Sequence, residues 1–332
     1  MTTGNLYIEG STASFTDATF VEGTGHVYIG NNTGTTYYSS GPTSVTVTSG
    51  VDFYHLTLNT NFGVDVTMGT GIGSYSVGGN INLLNPGSAG GEIITKDAIH
   101  VGGNLNIQTS GYSLVAKLYD RIYRTVGTGT FTMGSSADNS ICIYYSSSVN
   151  EVISGFGSNL DYGGTTCLAA PGAVVLTATD FDNLTLSEAA TTVTLPNDIN
   201  VTGNLTIGAG ELNGGSANIN LTGNFNVVGG TFTKGTSTVK MIGSSAQTIT
   251  TNGSSLYNLE ITNTKASGAS VTLGDDLTVS NTLKLEDGIL ETTSNYTVFV
   301  DDSRVNAIVG DDGTTASLDA ASFVWGKLKR TI

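Results

Sequence analysis

Apolar residues along this chain come in short alternating runs of three to five, set between glycine, asparagine and hydroxyl-bearing residues. In Leu205-Thr206-Ile207 every second side chain is apolar, the period of a half-buried strand. Leu205 and Ile207 therefore share one face and Asn204 and Thr206 the other. A strand this short carries too little apolar surface to fold alone. Stacking similar coils about 4.8 Å apart builds a continuous apolar column and pairs the backbone in parallel ladders.

The runs repeat. An apolar residue, then x-Gly-Asn, then an apolar-x-apolar strand recurs as Val77–Leu83 (VGGNINL), Val101–Ile107 (VGGNLNI), Val201–Ile207 (VTGNLTI) and Leu221–Val227 (LTGNFNV). Gly4–Ile8 is a partial copy and Val279–Leu285 (VSNTLKL) a drifted one. A second unit reads Phe53–Leu58 (FYHLTL), Phe181–Leu186 (FDNLTL) and Leu256–Ile261 (LYNLEI). Val193-Thr194-Leu195 leads to Val201 as Val271-Thr272-Leu273 leads to Val279, both pairs offset by 78 positions. The Gly-Asn step suits a sharp corner, since Gly tolerates positive φ and Asn the left-handed region. Equivalent asparagines are positioned to form a ladder from coil to coil.

An antiparallel sandwich also uses short alternating strands, but it needs many hairpin turns. Asn213-Gly214 and Asn252-Gly253 are the only Asn-Gly steps. The expected fold is therefore all-β, a right-handed parallel β-helix (β-solenoid) of imperfect repeats, with coils of about 20 to 25 residues. We expect one solenoid over 1–332, with an irregular insertion or wider coil at 110–170, where LVAKLYDRIYRTVG breaks the pattern.

The stretch from Thr238 to Leu290 carries Ala246-Gln247-Thr248-Ile249, the strand Tyr257–Ile261 and the spaced set Leu277, Val279, Leu283, Leu285 ending at Gly288. It resembles a repeat type of very large secreted β-helical proteins of Bacteroidetes-like bacteria, and Phe181–Phe232 fits almost as well. The resemblance implies a surface, adhesin-like or matrix component and brings no catalytic residues with it. It also implies that 323–332 begins a following segment or forms a cap.

Composition narrows the function. Gly is 45 of 332 residues and Pro only 4, while charged residues are 12%. Solubility then rests on hydroxyl and amide groups. The net charge of −15 repels nucleic acid and anionic lipid, so neither is an expected partner. The amino terminus has no signal-peptide pattern, and Met1 reads as the start of an excised segment of a larger protein. No run of 18 apolar residues occurs, so no membrane span is expected. Extracellular or cell-surface placement is the expectation.

Chemistry-bearing residues are few. Cys142 and Cys167 are separated by about one coil; a disulfide between coils and a pair of free core thiols both fit. No cofactor is expected. Acidic doublets at Asp275–Asp276, Asp301–Asp302 and Asp311–Asp312 can attract Ca²⁺ but lack the spacing of known calcium loops, and read first as solvated turns. Asp180 and Asp182 flank Phe181 on one face, as a glycosidase pair would. Lys117, Arg121 and Arg124 lie among Tyr112, Tyr119 and Tyr123, a basic and aromatic cluster suited to an acidic sugar. His26, His55 and His100 are read as separate corner or surface residues. The function expected is a non-enzymatic structural and adhesive segment, contacting glycans or neighbouring surface proteins. Set against it are a self-assembling filament that associates end to end, and a carbohydrate-binding or carbohydrate-degrading β-helix.

Overall fold

The computed structural model describes residues 189–310 and 322–332 continuously. Before these it describes 6–8, 12–15, 25–30, 43–47, 52–59, 66–69, 74–84, 91–96, 98–107, 114–118, 122–123, 131–133, 140–143, 153–154, 160–162, 165–168, 172–176 and 179–187. Among them there is no helix, and the strands pair in parallel as a β-solenoid. The chain divides into two units, Met1–Ala170 and Pro171–Ile332.

The first unit has three faces. One is a seven-stranded sheet running through Leu6–Ile8, His26–Gly30, His55–Asn59, Ile81–Leu84, Leu105–Ile107, Phe131–Met133 and Leu160–Tyr162. A second runs from Thr12–Phe15 to Thr165–Leu168, and a third has five strands from Asp52–Phe53 to Ile153–Ser154. Successive coils through Leu56, Ile81 and Leu105 stay in register. The described strands of 110–170 continue these same faces: Leu114–Leu118 pairs with Gly91–Thr95, and Phe131–Met133 with Leu105–Ile107.

The described strands that open the second unit lie on three faces. Thr191–Thr194, Ile199–Val201 and Leu205–Ile207 follow one another around a coil, and Glu211–Asn213, Asn218–Leu221 and Phe225–Val227 repeat the circuit. Inward positions stack in columns: Leu184 on Leu205 on Phe225 on Ile249, and Ile199 on Ile219 on Val239 on Leu259 on Leu283. All of these are buried, each worth about 1.5–3 kcal/mol relative to exposure. Phe225 meets Phe232 edge to face across the interior, with ring centroids 5.3 Å apart. Residues 322–332 carry the ladder on, Ser322–Trp325 pairing with Gly288–Glu291 and Leu328–Arg330 with Val298–Val300.

The two sequence units prove to be one corner. Phe53 pairs with Val77 and Leu56 with Ile81, so Phe53-Tyr54-His55-Leu56 lies under Val77-Gly78-Gly79-Asn80-Ile81. Phe181-Asp182-Asn183-Leu184 lies under Val201-Thr202-Gly203-Asn204-Leu205 in the same way. The Gly-containing version carries one extra residue in the bend. The corner glycines Gly79, Gly103, Gly203 and Gly223 are not in the left-handed region, contrary to the reason expected for them. Their need is steric: a Cβ on Gly103 would sit 2.5 Å from the Gly79 carbonyl, and one on Gly203 2.6 Å from the Asp182 oxygen.

Candidate functional site

The corners are tied along the coil axis by side chains accepting from backbone. Asn183 Oδ1 accepts the Asn204 N–H at 2.8 Å, Asn204 Oδ1 accepts the Asn224 N–H at 2.9 Å, and Asn224 Oδ1 accepts the Thr248 N–H at 2.7 Å. In the first unit Asn80 Oδ1 accepts the Asn104 N–H at 2.9 Å. The corner ladder is thus side chain to backbone, where amide-to-amide contact was one form the repeats suggested. At its foot His55 stands in for asparagine, its Nδ1 accepting the Asn80 N–H at 2.8 Å.

That corner also corrects the reading of the histidines. His26 pairs with His55 on the neighbouring strand, ring centroids 5.3 Å apart, and His26 stacks on Tyr28 at 4.2 Å. His26 Nε2 and Thr57 Oγ1 are hydrogen-bonded at 2.8 Å, and Asn82 Nδ2 donates to the same oxygen at 3.1 Å. Burial, and then the neighbouring His55, hold the His26 pKa below the ordinary imidazole value. A long coil between them brings together residues that spacing alone kept apart.

Outward positions form polar columns. Asp180, Asn200, Asn220, Lys240, Glu260 and Lys284 lie in one register line. Asn200 donates to Asp180 at 2.7 Å and Asn220 to Asn200 at 2.8 Å. Lys240 and Lys284 pair with Glu260 at 3.5 and 3.8 Å, and Lys284 with Glu286 at 2.6 Å. The Glu286 hydrogen bond raises the Lys284 pKa, and the same bond lowers that of Glu286. Asp180 also accepts from Thr179 at 2.6 Å, and Asp182 from Thr202 at 2.9 Å. The two aspartates considered as a glycosidase pair are each engaged by a hydroxyl or amide group.

Of the basic and aromatic cluster, Lys117 is ion-paired with Glu92 at 2.7 Å, one coil away. Tyr123 pairs with His100 at the backbone level. Tyr112, Tyr119, Arg121 and Arg124 lie outside the described residues, as do Asp311 and Asp312.

The four described doublet carboxylates act as turn acceptors. Asp275 accepts the N–H groups of Thr251 and Asn252 from the preceding coil, and Asp276 that of Thr297 at 2.8 Å from the next. Asp301 accepts from the Thr331 hydroxyl at 2.8 Å. Asp302 is held by Arg304 at 2.8 Å, and this hydrogen bonding keeps its pKa below the usual carboxylate range. Among the described residues no three His, Cys, Asp or Glu side chains gather as a metal site. Nor does any helix there reach the length and apolarity needed to cross a membrane.

The outward column Thr278, Phe299 and Lys329 lines a groove of about 410 Å³ together with Asp276, Leu277 and Thr297. Half-buried Phe299 shares the groove with acidic Asp276 and basic Lys329. The sequence repeats do not mark this place, because its residues come from three successive coils.

Gln247, the centre of the Ala246–Ile249 feature, is 1% exposed and satisfied on every side. Its Nε2 donates to the carbonyls of Leu221 (3.0 Å) and Gly223 (2.5 Å), while its Oε1 accepts from Gly243 N–H (3.0 Å) and Asn263 Nδ2 (2.7 Å). This motif is architecture, not chemistry.

No family model, no curated protein and no solved structure matches this chain.

Proposed function

We propose that this chain is a non-enzymatic structural and adhesive segment of an extracellular or cell-surface protein, presenting a long polar face for weak multivalent contacts with glycans. One observation carries this reading. The outward side chains are engaged with one another along the coil axis, as in Asp180–Asn200–Asn220 and Lys240–Glu260–Lys284. A hydrolase needs two carboxylates aimed at a shared substrate position, and a lyase a base beside a bound carboxylate. Here Asp180 serves as the foot of an amide ladder, and Lys117 as half of a surface ion pair.

Within this reading the Phe299 groove is the place for a sugar. A pyranose can stack on the ring while its hydroxyls donate to Asp276 and accept from Lys329. One such contact is weak; copies displayed together gain strength through effective concentration.

The test places the purified chain, singly and tethered in many copies on beads, against a panel of plant, bacterial and animal polysaccharides. Expected are retention on some of them that rises steeply with tethering and falls in Phe299→Ala, and no release of reducing ends or unsaturated uronides. Product that disappears in Asp180→Asn or Lys117→Ala would make the chain a carbohydrate-degrading enzyme. Light scattering that grows with chain concentration would make it a filament subunit.

A further inference from the structure

We infer that Cys142 and Cys167 close a disulfide between consecutive coils of the first unit, a covalent clasp along the coil axis. The strands Ser140–Ile143 and Thr165–Leu168 run parallel and in register, and Cys142 is paired directly with Cys167. The same line continues through Lys117 and Ile94 in the coils before. In those coils it is the outward line. Ile93, Thr95 and Ala116, which flank it, are buried, whereas Ile94 is half-buried and the Lys117 side chain is 24% exposed and paired with Glu92. By backbone register Cys142 and Cys167 are the next two members of that line.

Spacing suits the bond. Neighbouring strands of a sheet lie about 4.8 Å apart, and disulfides join Cα atoms about 4.4–6.8 Å apart. The Cβ atoms must draw in to about 3.8 Å, a local pinch of the ladder. The pairs Ile141 with Thr166 and Ile143 with Leu168 hold the register on either side of that pinch.

The chemistry is thiol–disulfide exchange. One cysteine thiolate attacks a small-molecule disulfide such as oxidised glutathione, forming a mixed disulfide and expelling one glutathione thiolate. The second cysteine thiolate then attacks the mixed disulfide and expels the other glutathione. The two cysteines lose two electrons and two protons in all, and one oxidised glutathione becomes two reduced molecules. The clasp closes a loop of one coil and lowers the entropy of the opened chain.

The experiment supplies its own oxidant, so its outcome is independent of where the chain resides and of what it binds. The full chain is reduced, cleared of reductant, incubated with a glutathione redox buffer, and alkylated with iodoacetamide before intact-mass and non-reducing peptide analysis. Expected are a chain lighter by two hydrogens than the reduced form, no alkylation until reductant is added, and a single peptide pair joining Cys142 to Cys167. In Cys142→Ser the remaining Cys167 should become alkylatable or carry one glutathione. Two alkylated thiols in the unaltered folded chain, one glutathione on each cysteine, or disulfide-linked dimers would each overturn the inference. The mass of the unaltered chain decides the matter even if the variant fails to fold.

Discussion

His26 and His55 occupy paired positions on adjacent strands, and the hydrogen bond from the Asn80 N–H fixes the His55 Nδ1 as an unprotonated acceptor. His55 therefore does the work that asparagine does at other corners, with a ring nitrogen in place of an amide oxygen. Protonating His26 costs burial of charge beside a second imidazole.

The first unit should accordingly lose stability in mild acid. The unfolded chain takes up protons on histidine near pH 6.5, and folded His26 takes one up only at lower pH. Between these values the unfolded state binds more protons, so stability falls with pH. The contribution is complete above about pH 6.5 and is lost as pH drops through the depressed folded value. Hydrogen exchange of the His26–Gly30 and His55–Asn59 strands at pH 7.5 and 5.0 should show faster opening in acid. His55→Asn keeps a corner acceptor and removes the neighbouring imidazole, and should reduce that difference, while the part due to burial of His26 remains. Equal acceleration in the variant would show that the pair is not responsible.

At the next corners the ladder can be tested without titration. Asn204 both donates its N–H to Asn183 and accepts that of Asn224 on its side chain. Asn204→Ala leaves the Asn224 N–H without its acceptor and should cost about 1–3 kcal/mol in urea unfolding. Asn204→Asp keeps the acceptor and should recover most of the loss. A cost under about 0.5 kcal/mol in the alanine variant would mean that water takes the place of the amide oxygen.

Much of this architecture is legible in the sequence, for a physical reason. Gly-Asn corners recur because each coil meets the previous one at the same close approach, and period-two strands follow because each face buries one side. Which face a strand joins is not legible. Val193 and Val271 stand at the same place in a repeated phrase, yet Val193 pairs with Leu212 on a four-stranded sheet while Val271 pairs with Gln247 and Leu290 on another. Every face has the same in-and-out alternation, so a strand's own residues do not record its address. The groove around Phe299 and the His26–His55 pair escape notice because coil length, which sets what lies above what, varies along the chain.

Two glycines separate steric from conformational need. Gly203 has an ordinary φ, but an added methyl would lie 2.6 Å from the Asp182 carbonyl oxygen. Gly253 has φ of +81° and nothing within 4 Å of where a Cβ would point. Gly253→Ala should cost only the left-handed backbone penalty, about 1–2 kcal/mol. Gly203→Ala must push two coils apart and break register nearby, and should cost more, about 2–3 kcal/mol or above. Thermal melts of both variants check the order. A larger loss at Gly253 would show that backbone conformation, not coil spacing, governs these bends.

Gln247 offers the sharpest test of how the solenoid tolerates polar groups in its interior. Its amide ties the carbonyls of Leu221 and Gly223 in one coil to Gly243 and to Asn263 in later ones. Gln247→Leu keeps much of the volume but takes the partner from the Gly223 carbonyl and the Gly243 N–H, while Leu221 keeps the Ile242 N–H and Asn263 keeps Ser245, and it should cost at least about 2 kcal/mol. Gln247→Glu keeps the shape and one acceptor, yet at neutral pH it turns a carboxylate oxygen toward two carbonyl oxygens. It should be at least as damaging at pH 7 and partly relieved at pH 4, where the protonated acid can donate to one of them. The sign of that recovery distinguishes hydrogen bonding from packing. A Glu variant as stable as the unaltered chain at both pH values would mean that Gln247 matters for its volume, and its four hydrogen bonds would then carry little of the stability of the second unit.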